Sequence, residues 1–522
     1  MRKHTLTRLQ EFITLPRLIF ALFMLVLLAV RAWLVEDYGV SWDEHVQLEI
    51  GLANYRFLRH GDPHLLELKD RHYGPLFEIF LVRMMDQSST RAIYLSRHFW
   101  NFTAFWFGVL GFYLLLEGIY PRRWLPLFGA ALLVFSPRIF ADAFYNSKDI
   151  PFMVGVIWLA AALLYYLKGP SLKRILLAGF CSAVTIGIRL PGVYLIALTG
   201  LLIGREVLAR RLSLRRAAGQ GLLYLLSTAG LVFLFYPVFW HDPLAEIPKA
   251  FEIMANFPHS ASVLYMGHFF SPQSLPWHYL PVWVGISTPI AYLVLMLSGA
   301  ARAAGTWLKS PAALLERQST PLLTAALWLV LPAGAVILRR STMYDGWRQM
   351  FFIYPALVLF AVHGWDWVLR WLRQRLNRKG PSTPLVFAVL GLTFLPVLLW
   401  MAVHHPYQNL YFNRLAGADM QSVKMRFDMD YWGLTYRRGL QAILAQDPRP
   451  RINVRADNAA GEYNAVILPG EEAKRLNFVR QIEQADYFIT NYRWHPQNYS
   501  YPNEIFTLRL GNAKILSVFR LR

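Results

Sequence analysis

The 522-residue sequence holds one cysteine, Cys181, set inside an apolar run. A single thiol excludes an internal disulfide and any metal cluster built on several cysteines. Charge is scarce as well: Asp, Glu, Lys and Arg make up 16% of the chain, against about a quarter in ordinary soluble domains. Acids are the scarcer half, 32 against 53 bases, for a formal net charge of +21. There is no glycine-rich phosphate loop of the kind that binds nucleotides, and no internal repeat or low-complexity segment.

What is abundant is apolar residues, 55% of the chain, with 15% aromatic. Runs such as Leu18 to Val30, Leu322 to Leu338 and Leu385 to Val403 approach the length of helix that crosses a bilayer core of about 30 Å. The pattern predicts a polytopic α-helical membrane protein with about eleven transmembrane helices, near 18–35, 92–117, 125–141, 150–167, 175–189, 191–204, 218–239, 278–299, 321–338, 349–368 and 384–403. Between the fifth and sixth lies Arg189-Leu190-Pro191-Gly192. A residue before proline disfavours the helical region, so two short helices meet there at a break.

The basic residues cluster in alternate loops, 1–17, 118–124, 168–174, 204–217, 300–320 and 369–383, which carry about 22 Lys and Arg. They include Arg2, Lys3, Arg8, Arg122, Arg123, Arg378 and Lys379. Such an alternation orients a membrane protein with these loops in the cytoplasm. It reads the excess charge as membrane topology, not as the stripe of a nucleic-acid binder. The N-terminus has the charge of a signal peptide without a small-residue cleavage site, and reads as a retained anchor.

The other loops then face the exoplasm: 36–91, 142–149, the 190 break, 240–277, 339–348 and everything after about 404. Val46 to Leu58 is amphipathic and predicts a helix along the membrane surface. Beyond His404 come strand-like runs at 451–456, 487–492, 505–510 and 513–521, the last two joined by Gly511-Asn512, a hairpin signal. With helical patterns at 433–445 and 470–483, residues 405–522 predict a small exoplasmic α/β domain behind a transmembrane domain of residues 1–404.

Polar residues that are hard to place in an apolar protein gather on this exoplasmic side. Asp43-Glu44 follows the first span, and an acid at the membrane surface can serve as a general base. Ser41-x-x-Glu44 reads equally as a capping box, with Glu44 reaching back to the Ser41 amide and Asp43 favouring the helix dipole. Asp70 and His72 lie in a charged return segment, Lys69 to Leu76. Arg138, Lys148 and Asp149 flank the 142–149 loop, where charges beside apolar helix ends need each other or an anionic headgroup. Arg189, and Arg348 in Tyr344-Asp345-Gly346-Trp347-Arg348, bring further cations, and an arginine fork suits a phosphate. His241, His268 and His278 could join Asp242 on a divalent ion, but none of the three shows tight ligand spacing.

This ordered set resembles the GT-C superfamily: an acidic pair opening a long first loop, a return segment ending in Gly74-Pro75-Leu76, and Asn146-Ser147-Lys148-Asp149-Ile150-Pro151-Phe152. More narrowly it resembles the bacterial family-39 type, related to protein O-mannosyltransferases and to aminoarabinose transferases. His405-Pro406-Tyr407, Tyr411-Phe412-Asn413 and Asp430-Tyr431-Trp432-Gly433-Leu434 extend the likeness over most of the chain.

The resemblance implies an inverting glycosyltransferase of the bacterial inner membrane. It would move a monosaccharide from a polyprenyl-phosphate donor to a hydroxyl, with Asp43 as base beside Glu44. The donor phosphate falls to Arg138, Lys148, Arg189 and Arg348. Asp70, His72, Asp149, His241, Tyr344 and Asp345 stand as supporting or acceptor-side residues. No cofactor is obligatory by this resemblance; a divalent metal is possible, with Asp70 and His241 its nearest candidates. Arg71-His72-Tyr73-Gly74-Pro75 departs from the His-Pro-Pro pattern of protein mannosyltransferases, which weakens the case for a protein acceptor. A lipid, glycan or protein hydroxyl stays open. A transporter or flippase would instead place ionisable groups near the midplane, and a non-catalytic binder of lipid-linked sugars would have no use for Asp43.

Overall fold

A computed structural model describes residues 14–121, 124–255, 257, 259–375 and 383–522. Arg2, Lys3, Arg8, Arg122, Arg123, Arg378 and Lys379 lie outside the described residues. Proline at the first turn starts α1 (Leu15–Leu34), where a missing amide costs nothing. The first loop folds as α2 (Glu44–His60) and α3 (Leu76–Met84), which pack on each other and lead into α4 (Thr90–Ile119). The Ser89 hydroxyl caps α4 by accepting from the Ala92 amide at 3.1 Å.

After α4 come α5 (Leu125–Val134) and α6 (Pro137–Tyr145), then α7 (Asp149–Lys168), α8 (Leu172–Ile188), α9 (Tyr194–Leu208) and α10 (Leu214–Phe235). Almost every residue of α7 is buried, as its all-round apolar sequence requires. It packs between α4 and α8. An amphipathic α11 (Pro243–Ala255) and a hairpin of β1 (Val263–Tyr265) and β2 (His268–Phe270) lead to α12 (Tyr279–Ser287) and α13 (Ile290–Lys309). The last membrane helices are α14 (Thr320–Leu338), α15 (Tyr354–Arg375) and α16 (Thr383–Val403). A Cβ on Gly299 or Gly364 would strike the facing helix backbone. This is the small-residue contact that lets α13 and α15 touch along their length.

Among the described residues eight helices are long and apolar enough to cross a membrane, or nine if α5 and α6 form one bent span. The chain is an integral membrane protein. The difference from the expected eleven has local causes. The 125–141 span turns by 65° between α5 and α6, ahead of Pro137. The 278–299 span is shifted without changing the count: it breaks at Thr288, held at φ −102° and ψ 138° by Pro289, and Ile290–Lys309 is the helix long enough to cross. α8 has 17 residues, about 25 Å of helix. At the 190 break, Arg189 is extended and a 3-10 turn, Leu190–Val193, starts the next helix.

The C-terminal region carries a five-stranded mixed sheet of β3 (Ile452–Ala456), β4 (Leu476–Phe478), β5 (Tyr487–Thr490), β6 (Glu504–Leu510) and β7 (Ala513–Arg520) in the order β4-β3-β5-β7-β6. β3 runs parallel to β4 and β5, while β7 is antiparallel to β5 and β6. Residues 470–483, expected as a helix, instead form a 3-10 turn, the strand β4 and a second turn at Ile482–Gln484. α17 (Tyr436–Gln446) packs on the sheet over its own small core. Leu410, Phe412, Phe427, Tyr431, Trp432 and Leu434 belong instead to the core of the membrane helices. The stretch after His404 is thus shared between the two layers.

Candidate functional site

Helix ends on one side of the bundle build the site. Asp43 precedes the first residue of α2 and makes no capping hydrogen bond of its own. Glu44 instead ties down the turn before the helix: its Oε2 accepts from the Ser41 amide at 2.6 Å, and its Oε1 meets His98 Nε2 at 2.8 Å. Glu44 is buried and turned inward. The expected reach-back to Ser41 is present, while the acidic pair divides into one carboxylate facing inward and one facing the cleft.

Asp43 Oδ2 lies 2.6 Å from Lys148 Nζ and 3.1 Å from Arg348 Nη2, with its side chain 23% exposed. Lys148 ends the α6–α7 loop, and Arg348 precedes α15. The Arg348 side chain is 1% exposed, which its fork makes tolerable. Nη1 meets Asp149 Oδ2 at 3.2 Å and Nη2 meets Asp345 Oδ2 at 2.9 Å, with the guanidinium 4.5 Å from the centre of the Trp432 ring. Arg189, on the break after α8, pairs with the other oxygen of Asp149. Asn146 fixes Asp149 by donating to its Oδ2 at 3.0 Å and accepting from its amide at 2.9 Å. Asp345 receives a further cation, Arg493 Nη2, at 2.6 Å.

Lys148, Arg189, Arg348 and Arg493 therefore interleave with Asp43, Asp149 and Asp345, each cation paired and the seven groups together carrying one net positive charge. Burial alone would push the Asp43 carboxyl up. Lys148, Arg348 and Arg493 more than reverse that and hold it well below the usual carboxylate range. Asp43 is the ionised, part-exposed member, and the two cations beside it sit where an added anion can share them.

The other expected residues fall around this centre. Asp70 is half-buried nearby, its carboxyl pushed up by burial against the pull of Lys69 and Lys148. Tyr344 stacks on His259 with ring centres 3.8 Å apart and lies 5.0 Å from the Arg348 guanidinium. Arg138 is displaced from the cluster: its Nε donates to the Tyr411 carbonyl at 3.0 Å and its guanidinium lies against Phe412 and Trp283. Its two Nη atoms are buried without a protein partner. His72 faces away, 2.5 Å from Glu246 on α11, beside Arg71. His241 is exposed after the 3-10 turn Pro237–Trp240, and Asp242 caps α11 through the Ala245 amide. Among the described residues no three His, Cys, Asp or Glu side chains are grouped to hold a metal ion.

Arg493, Trp432, Asn146 and Asp142 complete the site without having been singled out for it. Asp142 accepts from Asn146 at 2.9 Å and from the Trp432 indole at 3.1 Å. Trp432 and Asn146 stood in noted motifs, but Arg493 is one of 53 basic residues and carries no local signal.

Close backbone contact keeps Arg189 in place. A Cβ on Gly74 would collide with the Ile188 carbonyl immediately before it. Gly74→Ala should force the return segment away from α8, at about 1–3 kcal/mol as in other overpacked sites. A thermal-shift measurement should find a lower Tm, and an unchanged Tm would mean that the segment yields freely.

Neither a family model nor a curated protein matches the chain. Among solved structures it is similar to ArnT from Cupriavidus metallidurans in the apo state, with a TM-score of 0.50 and 14% identity over 96% of this chain and 97% of that one. The same ArnT bound to undecaprenyl phosphate gives a TM-score of 0.48 and 15% identity over the same shares. The chain therefore shares the overall fold of that ArnT structure.

Proposed function

We propose, from a GT-C fold with an ionised aspartate between two cations at its helix ends, that the chain is an inverting glycosyltransferase. It transfers a monosaccharide from a polyprenyl-phosphate donor to a hydroxyl acceptor on the exoplasmic face of the bacterial inner membrane. Its N-terminus is then cytoplasmic, and the region 405–522 lies on the side of the chemistry. The observation that carries this reading is the contact of Asp43 with Lys148 and Arg348 at 2.6 and 3.1 Å.

The donor's tail remains among the apolar helices while its phosphate meets Lys148 and Arg348, with Arg189 behind them through Asp149. Arginine offers a phosphate paired donors in a fixed plane. As the phosphate shares these cations, Asp43 loses part of the field that holds its proton affinity down, and its basicity rises when the donor is seated. The acceptor oxygen attacks the anomeric carbon, Asp43 takes the hydroxyl proton, and the carbon–oxygen bond to phosphate breaks. The polyprenyl phosphate leaves with the electron pair, its charge met by the same cations. The reaction so written needs no cofactor. Glu44 holds the Asp43 turn through Ser41 and His98 and supports the base from the buried side.

The test is transfer by purified protein in nanodiscs from a panel of polyprenyl-phosphate monosaccharides to water and to lipid, glycan and peptide acceptors. Turnover with at least one donor is expected. Absence of both turnover and donor binding across the panel would overturn the reading in favour of transport or a scaffold.

A further inference from the structure

The bundle is open at its other end. Lys168 closes α7, and Asp149 begins it; the 20 residues between the two ends make about 30 Å of helix. Between the ends of α4 and α7 and the start of α14 there remains a cavity of about 300 Å³, room for about ten groups the size of a water or a methylene. Leu114, Leu115, Ile119, Ala161 and Leu164 give it an apolar wall, while Lys168 and Arg317 stand on its border.

The opening is built into the fold. Before α14 the chain makes two 3-10 turns, Pro311–Leu315 and Arg317–Ser319. The mostly buried Arg205 pins them by donating to the Leu314 and Glu316 carbonyls at 2.7 and 2.6 Å. Lys168 Nζ uses one proton on the Gly118 carbonyl at 2.8 Å, which leaves two. Arg317 is exposed and, among the described residues, has no carboxylate partner.

An apolar slot at the end of membrane helices, bordered by two cations, matches an amphiphile with one hydrocarbon chain to insert and an anionic group to leave at the interface. We propose that this cavity holds an acyl chain of an anionic phospholipid whose phosphate lies between Lys168 and Arg317, a lipid site separate from the donor site. A free phosphate would have no use for the apolar wall, and a zwitterionic lipid would bring a positive group towards both cations.

The experiment is native mass spectrometry of the full chain released from vesicles of equal phosphatidylglycerol and phosphatidylcholine. One phosphatidylglycerol should be retained in preference by at least fivefold. Arg317→Gln removes an exposed, unpaired side chain, and Ala161→Phe fills the slot while leaving both cations. Each should abolish the preference, whereas Arg215→Gln, on an exposed cation outside the cavity, should not. Equal retention of the two lipids would overturn the proposal. So would a preference that survives Ala161→Phe or is lost with Arg215→Gln, since surface charge alone would then account for it. Displacement of the lipid by inorganic phosphate would mark an anion site without a lipid chain and equally refute it.

Discussion

Asp43→Asn should reduce sugar transfer by about 10²- to 10⁴-fold, the usual share of a positioned general base, without weakening the donor. The amide has the shape of the carboxylate and no proton affinity of use. It also ceases to compete for Lys148 Nζ and Arg348 Nη2, which lie 2.6 and 3.1 Å from Asp43 Oδ2. Donor affinity should therefore hold or rise as kcat collapses. Donor binding and single turnover on the same preparation separate the two effects. A mutant that turns over at the wild-type rate removes Asp43 from the mechanism. A mutant that loses donor binding makes it a structural member of the cation cluster.

The pH profile carries the same argument in a second form. In the free protein Asp43 is held well below the usual carboxylate range, so it stays ionised throughout moderately acid and neutral pH. A carboxylate with a depressed pKa contributes stability above its unfolded value and loses it only as pH falls through the lower folded one. With donor bound, the phosphate shares Lys148 and Arg348 and the Asp43 value moves up. The acid limb of kcat, which reports the complex, should therefore lie at higher pH than that of kcat/KM, which reports free enzyme. Coincident limbs would show that the phosphate leaves those cations with Asp43.

Arg348→Lys is the second large effect. The charge stays, but a compact ammonium replaces a fork that meets Asp43, Asp149 and Asp345 together. A charge-assisted hydrogen bond to phosphate contributes about 1.5–3 kcal/mol, so donor affinity should fall about 10- to 100-fold and turnover with it. Arg348→Ala would test something else. Asp149 is 1% exposed and Asp345 8%, and removing the partner of buried charges costs about 3–5 kcal/mol of stability. A folded Arg348→Lys protein that binds donor normally would move the phosphate elsewhere, and the free Nη atoms of Arg138 would be the next place to look.

Hydropathy and the alternation of basic loops put Asp43, Lys148, Asp149, Arg189, Asp345 and Arg348 at helix ends on one side, and the structure brings these six together. Helix ends are legible because apolar runs must stop where water begins. Which way each end faces is not, since that depends on rotation and packing about the helix axis. His72 and Asp70 are two residues apart, yet one turns to Glu246 and the other lies near Lys148. Arg138 has the right depth and the wrong neighbours. The breaks before Pro137 and Pro289 were written in the prolines, but continuous hydrophobicity on both sides concealed them.

The pair between Asp345 and Arg493 has a meaning for how the protein is made. Asp43 leaves the ribosome 450 residues before Arg493 does, and every membrane helix after α1 lies between them. A nascent chain with its bundle already inserted still has Asp345 short of one cation. Final charge matching at the centre thus waits for synthesis of the distal region that carries Arg493, so a stalled translation product would be left with an incomplete centre.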